Sequence, residues 1–165
     1  MPYISNGPKP KQGTRRRIWD ALRAQLKQEG SELVRLVRTW QLGEGDANDS
    51  TLPADWVAAM LPAFRLELEG AQGAWQNQAA TKCIMTAAIT LGIKGTNQGD
   101  ALDWWEVVER ALYPGDGSFL ATLNLLGVNA YTITQAAITR ATYANDNGTV
   151  ITGRITINHE IRTKV

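Results

Sequence analysis

The chain has 165 residues, 44% of them apolar and 20% charged, enough for one domain around one core. A net charge of +1 argues against a general nucleic-acid binder, and a single cysteine excludes an intrachain disulfide and a thiolate metal cluster. The charge is unevenly placed: Lys9, Lys11, Arg15, Arg16 and Arg17 put +5 into residues 1–17 with no acid, leaving −4 for the rest.

Residues 1–13 hold Pro, Gly and Lys without apolar periodicity and read as a flexible basic arm. They lack the apolar stretch of a secretory signal, no apolar run elsewhere reaches the roughly 18 residues of a membrane span, and one cysteine fits a reducing, cytosolic site of synthesis. A single α+β domain is expected over 14–165. Thr14 can cap a helix whose stripe is Ile18, Leu22 and Leu26, with Gly30 as its stop. Residues 32–40 are ambiguous: Val34, Leu36 and Trp40 fit one strand face, and a helical turn fits as well. Residues 43–53 are a polar loop, and 54–61 read as a short helix ended by Pro62.

Phe64, Leu66 and Leu68 alternate with Arg65, Glu67 and Glu69, the period of a strand with one dry and one wet face. Residues 70–78 then read as a turn or long hairpin loop carrying Trp75. The strand 80–93 is apolar at its odd positions and small or mildly polar at Ile84, Thr86, Ala88 and Thr90, so a cover over both faces, or a neighbouring subunit over one, is expected. Asp100 can cap a helix over 101–112 with Trp104 and Trp105 on or beside its stripe. A short apolar piece, 119–126, follows. Strands over 130–144 and 150–162 flank a turn signal at Asn145–Gly148. The order predicts α+β, a mostly antiparallel sheet with two main helices packed on one face.

Chemistry is sparse. His159, the one histidine, shares the odd-numbered apolar face of the last strand, which fits a core or interface role over a catalytic one. Cys83 lies mid-strand beside Met85 and Ala87, which fits a buried small hydrophobe over a nucleophile. Glu67 and Glu69 share a wet face with Arg65 and read as ion pairs. Asp46 and Asp49 lack the Gly and Glu of a calcium loop, and the glycines of 92–99 match no phosphate fingerprint. No catalytic set, cofactor site or metal site is expected. The basic residues read either as a solubilising arm or as contacts for a phosphate backbone or an acidic partner. Trp75 is either a partner anchor or a loop folded over its own sheet; Trp104 and Phe64 are further interface candidates.

The runs RIWDALRAQL, MLPAFRLELEG, LDWWEVVERALY and ITGRITINHEI, in this order, resemble the tail terminator (tail-to-head joining, or minor tail) proteins of long-tailed bacteriophages over about residues 14–163. The basic arm and the 43–62 stretch are longer than in that pattern. The resemblance implies a virion protein of the tail or neck, assembled in the host cytoplasm, and not an enzyme. It implies a homohexameric ring that caps the tail tube, ends its polymerisation and joins the tail to the head connector or head-closure protein. Non-specific contact of the arm with packaged DNA would fit such a ring. Other readings are a head-closure, tail-completion or tail-tube protein, and a small acid-base enzyme working between the second helix and the sheet.

Overall fold

A computed structural model describes residues 8–45, 47–75 and 80–162, without the side chains of Ala47, Asn48 and Trp75. Within it the chain is α+β. It runs α1 (Thr14–Leu26), α2 (Glu32–Leu36), β1 (Thr39–Gln41), β2 (Ala63–Trp75), β3 (Ala80–Lys94), α3 (Gln98–Leu112), α4 (Ser118–Leu125), β4 (Val128–Tyr143) and β5 (Asp146–Arg162). The strands form one sheet in the order β1-β2-β3-β5-β4; β1 runs parallel to β2 and every other pairing is antiparallel. Residues 8–13 carry no regular structure and are exposed, and residues 1–7 of the predicted arm lie outside the described residues.

α1 forms because Ile18, Leu22 and Leu26 fall on one stripe, and all three are at most 1% exposed. Each such side chain contributes about 1.5–3 kcal/mol on burial. The helix starts one residue earlier than the cap prediction required. Gly13 is the N-cap and Thr14 is already helical. The ambiguous 32–40 stretch is both of its readings in succession. The Ser31 hydroxyl accepts from the Val34 N–H at 3.2 Å and caps α2, and β1 follows. Leu33 and Val37 are the buried residues there, whereas Leu36 is exposed.

Four further expectations are corrected. The 54–61 helix is two short 3₁₀ turns, Pro53–Asp55 and Ala58–Met60, with Trp56 buried between them. The 70–78 loop is strand as far as Trp75: a bulge between Leu68 and Gly70 resets the register, and Ala71, Gly73 and Trp75 then pair with Met85, Cys83 and Thr81. Residues 76–79 of that loop lie outside the described residues. Asn97, not Asp100, caps α3, its Oδ1 accepting the Asp100 N–H at 3.2 Å. The β4–β5 turn sits at Ala144 and Asn145 (φ +48° and +75°), so Asp146–Gly148 belong to β5. The apolar piece 119–126 is α4, whose start is held by Asp116 Oδ1 accepting from the Ser118 N–H at 2.9 Å and its hydroxyl at 2.8 Å.

α1, α3 and α4 pack on one face of the sheet, over Met85, Ala87, Ile89, Leu91, Ile151, Ile155 and Ile157. Trp105 of α3 lies against Gly153 of β5. The opposite face has its own small core at one end, made of Trp56, Leu61, Ala63 and Tyr143. Gly92 and Gly148 make room for it, since a side chain at either would run into Trp56 or Tyr143. The expected cover of that face therefore comes partly from residues 53–62. Beyond it Thr86, Ala88 and Thr90 are half-buried and Ile84 is exposed.

Candidate assembly interface

The sheet has two long open edges. β1 pairs only with Ala63–Arg65, so from Leu66 to Trp75 no strand among the described residues bonds the outer side of β2. At the other margin β4, 16 residues long, pairs among the described residues only with β5. Such edges template further pairing unless charge, Pro or a cover blunts them. β4 contains no Pro and a single charge, Arg140, while the open stretch of β2 carries Glu67 and Glu69. Among the described residues the one outward β4 donor seen to be engaged is the Ile133 N–H, which the Tyr113 hydroxyl accepts at 2.9 Å. Tyr131 in turn donates to the Leu112 carbonyl at 2.8 Å, and burial, with Tyr113 beside it, pushes its phenol up to about 12. These tyrosines fasten α3 to β4 and leave most of the edge open.

The predicted interface residues scatter. Phe64 is fully buried, tilted against Trp40 at 5.4 Å, and is corrected from a partner contact to a core residue. Trp104 is half-buried at the rim of the main core. The Trp75 side chain lies outside the described residues; its backbone continues the β2–β3 ladder opposite Thr81. Glu67 pairs with Arg65 at 3.5 Å, as expected of a wet face. Glu69 instead takes a bidentate pair from Arg154, at 2.8 and 3.1 Å, across β3. Nothing in the local sequence of either residue indicates that partnership, because it depends on sheet order. Asp49 accepts the Gly45 N–H at 2.9 Å, while Asp46 lies outside the described residues.

The basic residues divide. Lys9, Lys11, Arg16 and Arg17 are exposed, with Arg16 on Asp20 at 3.2 Å. Arg15 is half-buried, and its guanidinium reaches over β2: a Cβ at Gly73 would lie 3.2 Å from Arg15 Nη2 and 3.3 Å from Cys83 Sγ. Cys83 and His159 face each other in the β3–β5 register, both buried. His159 Nδ1 lies 3.4 Å from the Ile157 carbonyl oxygen. His159 Nε2 and Arg15 Nε are buried without a partner among the described residues. Burial holds the His159 imidazole below its ordinary value, and the Arg15 charge acts in the same direction. Among the described residues no three His, Cys, Asp or Glu side chains group to hold a metal ion, and no helix is long and apolar enough to cross a membrane.

That environment sets a pH dependence. The unfolded chain binds a proton on His159 near pH 6.5 and the folded chain binds it only at lower pH, so acidification through that range favours unfolding. Stability is expected to fall as pH drops below about 6.5, and His159→Gln is expected to flatten that slope. Equal slopes for the two proteins in denaturant titrations would refute the assignment.

No family model matches the chain, and no curated protein sequence matches it.

Proposed function

We propose that this protein is a structural virion component of a long-tailed bacteriophage. In this reading it is a tail terminator that closes into a ring of six copies, caps the tail tube and ends its polymerisation. Its partners are then its own copies, the tail tube protein and the head connector or head-closure protein. Its place is the neck of the particle, reached after assembly in the host cytoplasm, and it carries out no catalysis. The reading combines the resemblance in element order with one geometric observation, the pair of open edges on opposite margins of one sheet.

The directions of the strands support a head-to-tail contact. β2, β3, β5 and β4 alternate in direction across the sheet. The β2 edge of a second copy, in the same orientation, would therefore meet β4 antiparallel and continue the alternation. A contact between two different surfaces closes a ring when its rotation divides a circle, and otherwise makes a filament. Light scattering on the purified full chain tests this. A species near 109 kDa, six times the 18.1 kDa chain, is expected. A stable dimer would overturn the ring, and long cylinders would turn the reading to a tube protein.

A further inference from the structure

The outer side of β4 is not uniform. Register shifts at Val128/Ala130 and at Gln135/Ala137 divide it into two regular stretches, 130–135 and 137–143. The second carries Arg140, an exposed charge of the kind that blunts an edge. The first, Ala130 to Gln135, holds neither charge nor Pro. Near its middle the outward Ile133 N–H donates to the Tyr113 hydroxyl at 2.9 Å. The backbone groups of Tyr131 and Gln135 point the same way, because residues two apart in an antiparallel strand share a direction. The hydroxyl therefore stands where the carbonyl of an added strand would accept.

Two observations separate this contact from a plain fastening. Tyr113 is 42% exposed, so its hydroxyl can leave the edge without opening the core. The helix is also held without it: Tyr131 donates to the Leu112 carbonyl at 2.8 Å, and Trp105 of α3 lies against Gly153 of β5.

We propose that the Tyr113 hydroxyl is a displaceable cap on the β4 edge, which delays pairing until the β2 edge of a second copy takes the Ile133 N–H. The cap rests on the ring reading above and adds a threshold to it, since one hydrogen bond is given up before the new ladder begins. One such bond is small beside a ladder of several, so the cap sets the concentration at which copies join and leaves the joined state intact. A bare edge accepts any extended chain, whereas a capped one opens to a strand that returns more bonds than it removes.

The test is light scattering on the full chain over a concentration series. Tyr113→Phe keeps the ring that stacks on Tyr131 at 5.0 Å and removes only the acceptor. It is expected to assemble at about tenfold lower concentration than the wild type. Tyr131→Phe, which loses the bond to Leu112 and leaves the edge capped, is expected to unfold at lower denaturant and to assemble as the wild type does. Adding Gln135→Pro to Tyr113→Phe should cancel the gain. Assembly of Tyr113→Phe at the wild-type concentration would overturn the cap and leave the ring standing. An equal gain in Tyr131→Phe would overturn it too, by tracing the effect to a loosened α3, and a gain that survives Gln135→Pro would do so by moving the contact off β4. If neither the wild type nor Tyr113→Phe assembles at any concentration, ring and cap fall together.

Discussion

Gly153→Val is expected to remove a large share of the stability of the native state. A Cβ at this position would lie 2.1 Å from Trp105 Cη2 and 2.8 Å from the Thr134 carbonyl oxygen. The first obstacle is a rigid indole ring held by α3, and the second is the backbone of β4, so neither moves aside cheaply. Overpacking a core costs about 1–3 kcal/mol where side chains adjust, and the valine methyls enlarge the overlap. Such a loss is a large share of the roughly 5–15 kcal/mol that holds a domain together. Gly153→Ala should unfold at clearly lower denaturant than the wild type, and Trp105→Leu in the same chain should recover part of the loss. An alanine variant with wild-type stability would mean that α3 does not rest on β5 as described.

A proline on the free edge of β4 is expected to reduce the proposed ring to monomers without unfolding the chain. The Ile133 N–H points away from β5, to Tyr113, and residues two apart in an antiparallel strand share a direction. Gln135, exposed and two residues on, therefore presents its N–H outward as well. Gln135→Pro removes that donor and sets a ring against an incoming strand, yet breaks no bond to β5. If the proposed ring forms, light scattering should shift from it to a species near 18.1 kDa while the circular dichroism stays that of the wild type. Ala136→Lys, at an exposed position of the same edge, should act in the same direction by charge. A Gln135→Pro protein that still assembles would remove β4 from the interface and leave the ring without the observation that supports it.

The amino-acid sequence determined the elements whose side chains repeat at a fixed period. The stripe of α1 is legible because Ile18, Leu22 and Leu26 recur each turn, and β5 because Ile151, Ile155 and Ile157 alternate with Thr152, Arg154 and Thr156. The α+β class, the antiparallel pairings and the helices on one face follow from those periods and the short links between them. The far half of β2 was illegible, because Gly70, Ala71, Gln72 and Gly73 carry no pattern and the bulge shifts what pattern there is. The cap of α3 was misplaced because Asn97 and Asp100 are both good acceptors, and only the path of the backbone selects one. Trp56 read as part of a helix, yet it covers the second face of the sheet, where Gly92 leaves room. The candidate sites were the least legible part. Arg15, Gly73, Cys83 and His159 stand far apart along the chain and meet only where α1 crosses β2, β3 and β5. Open edges, too, belong to no residue: an edge is a strand's place in the sheet order. Periodicity records which side of an element is dry, and only the tertiary packing decides which dry sides, and which free backbone groups, find a partner within the same chain.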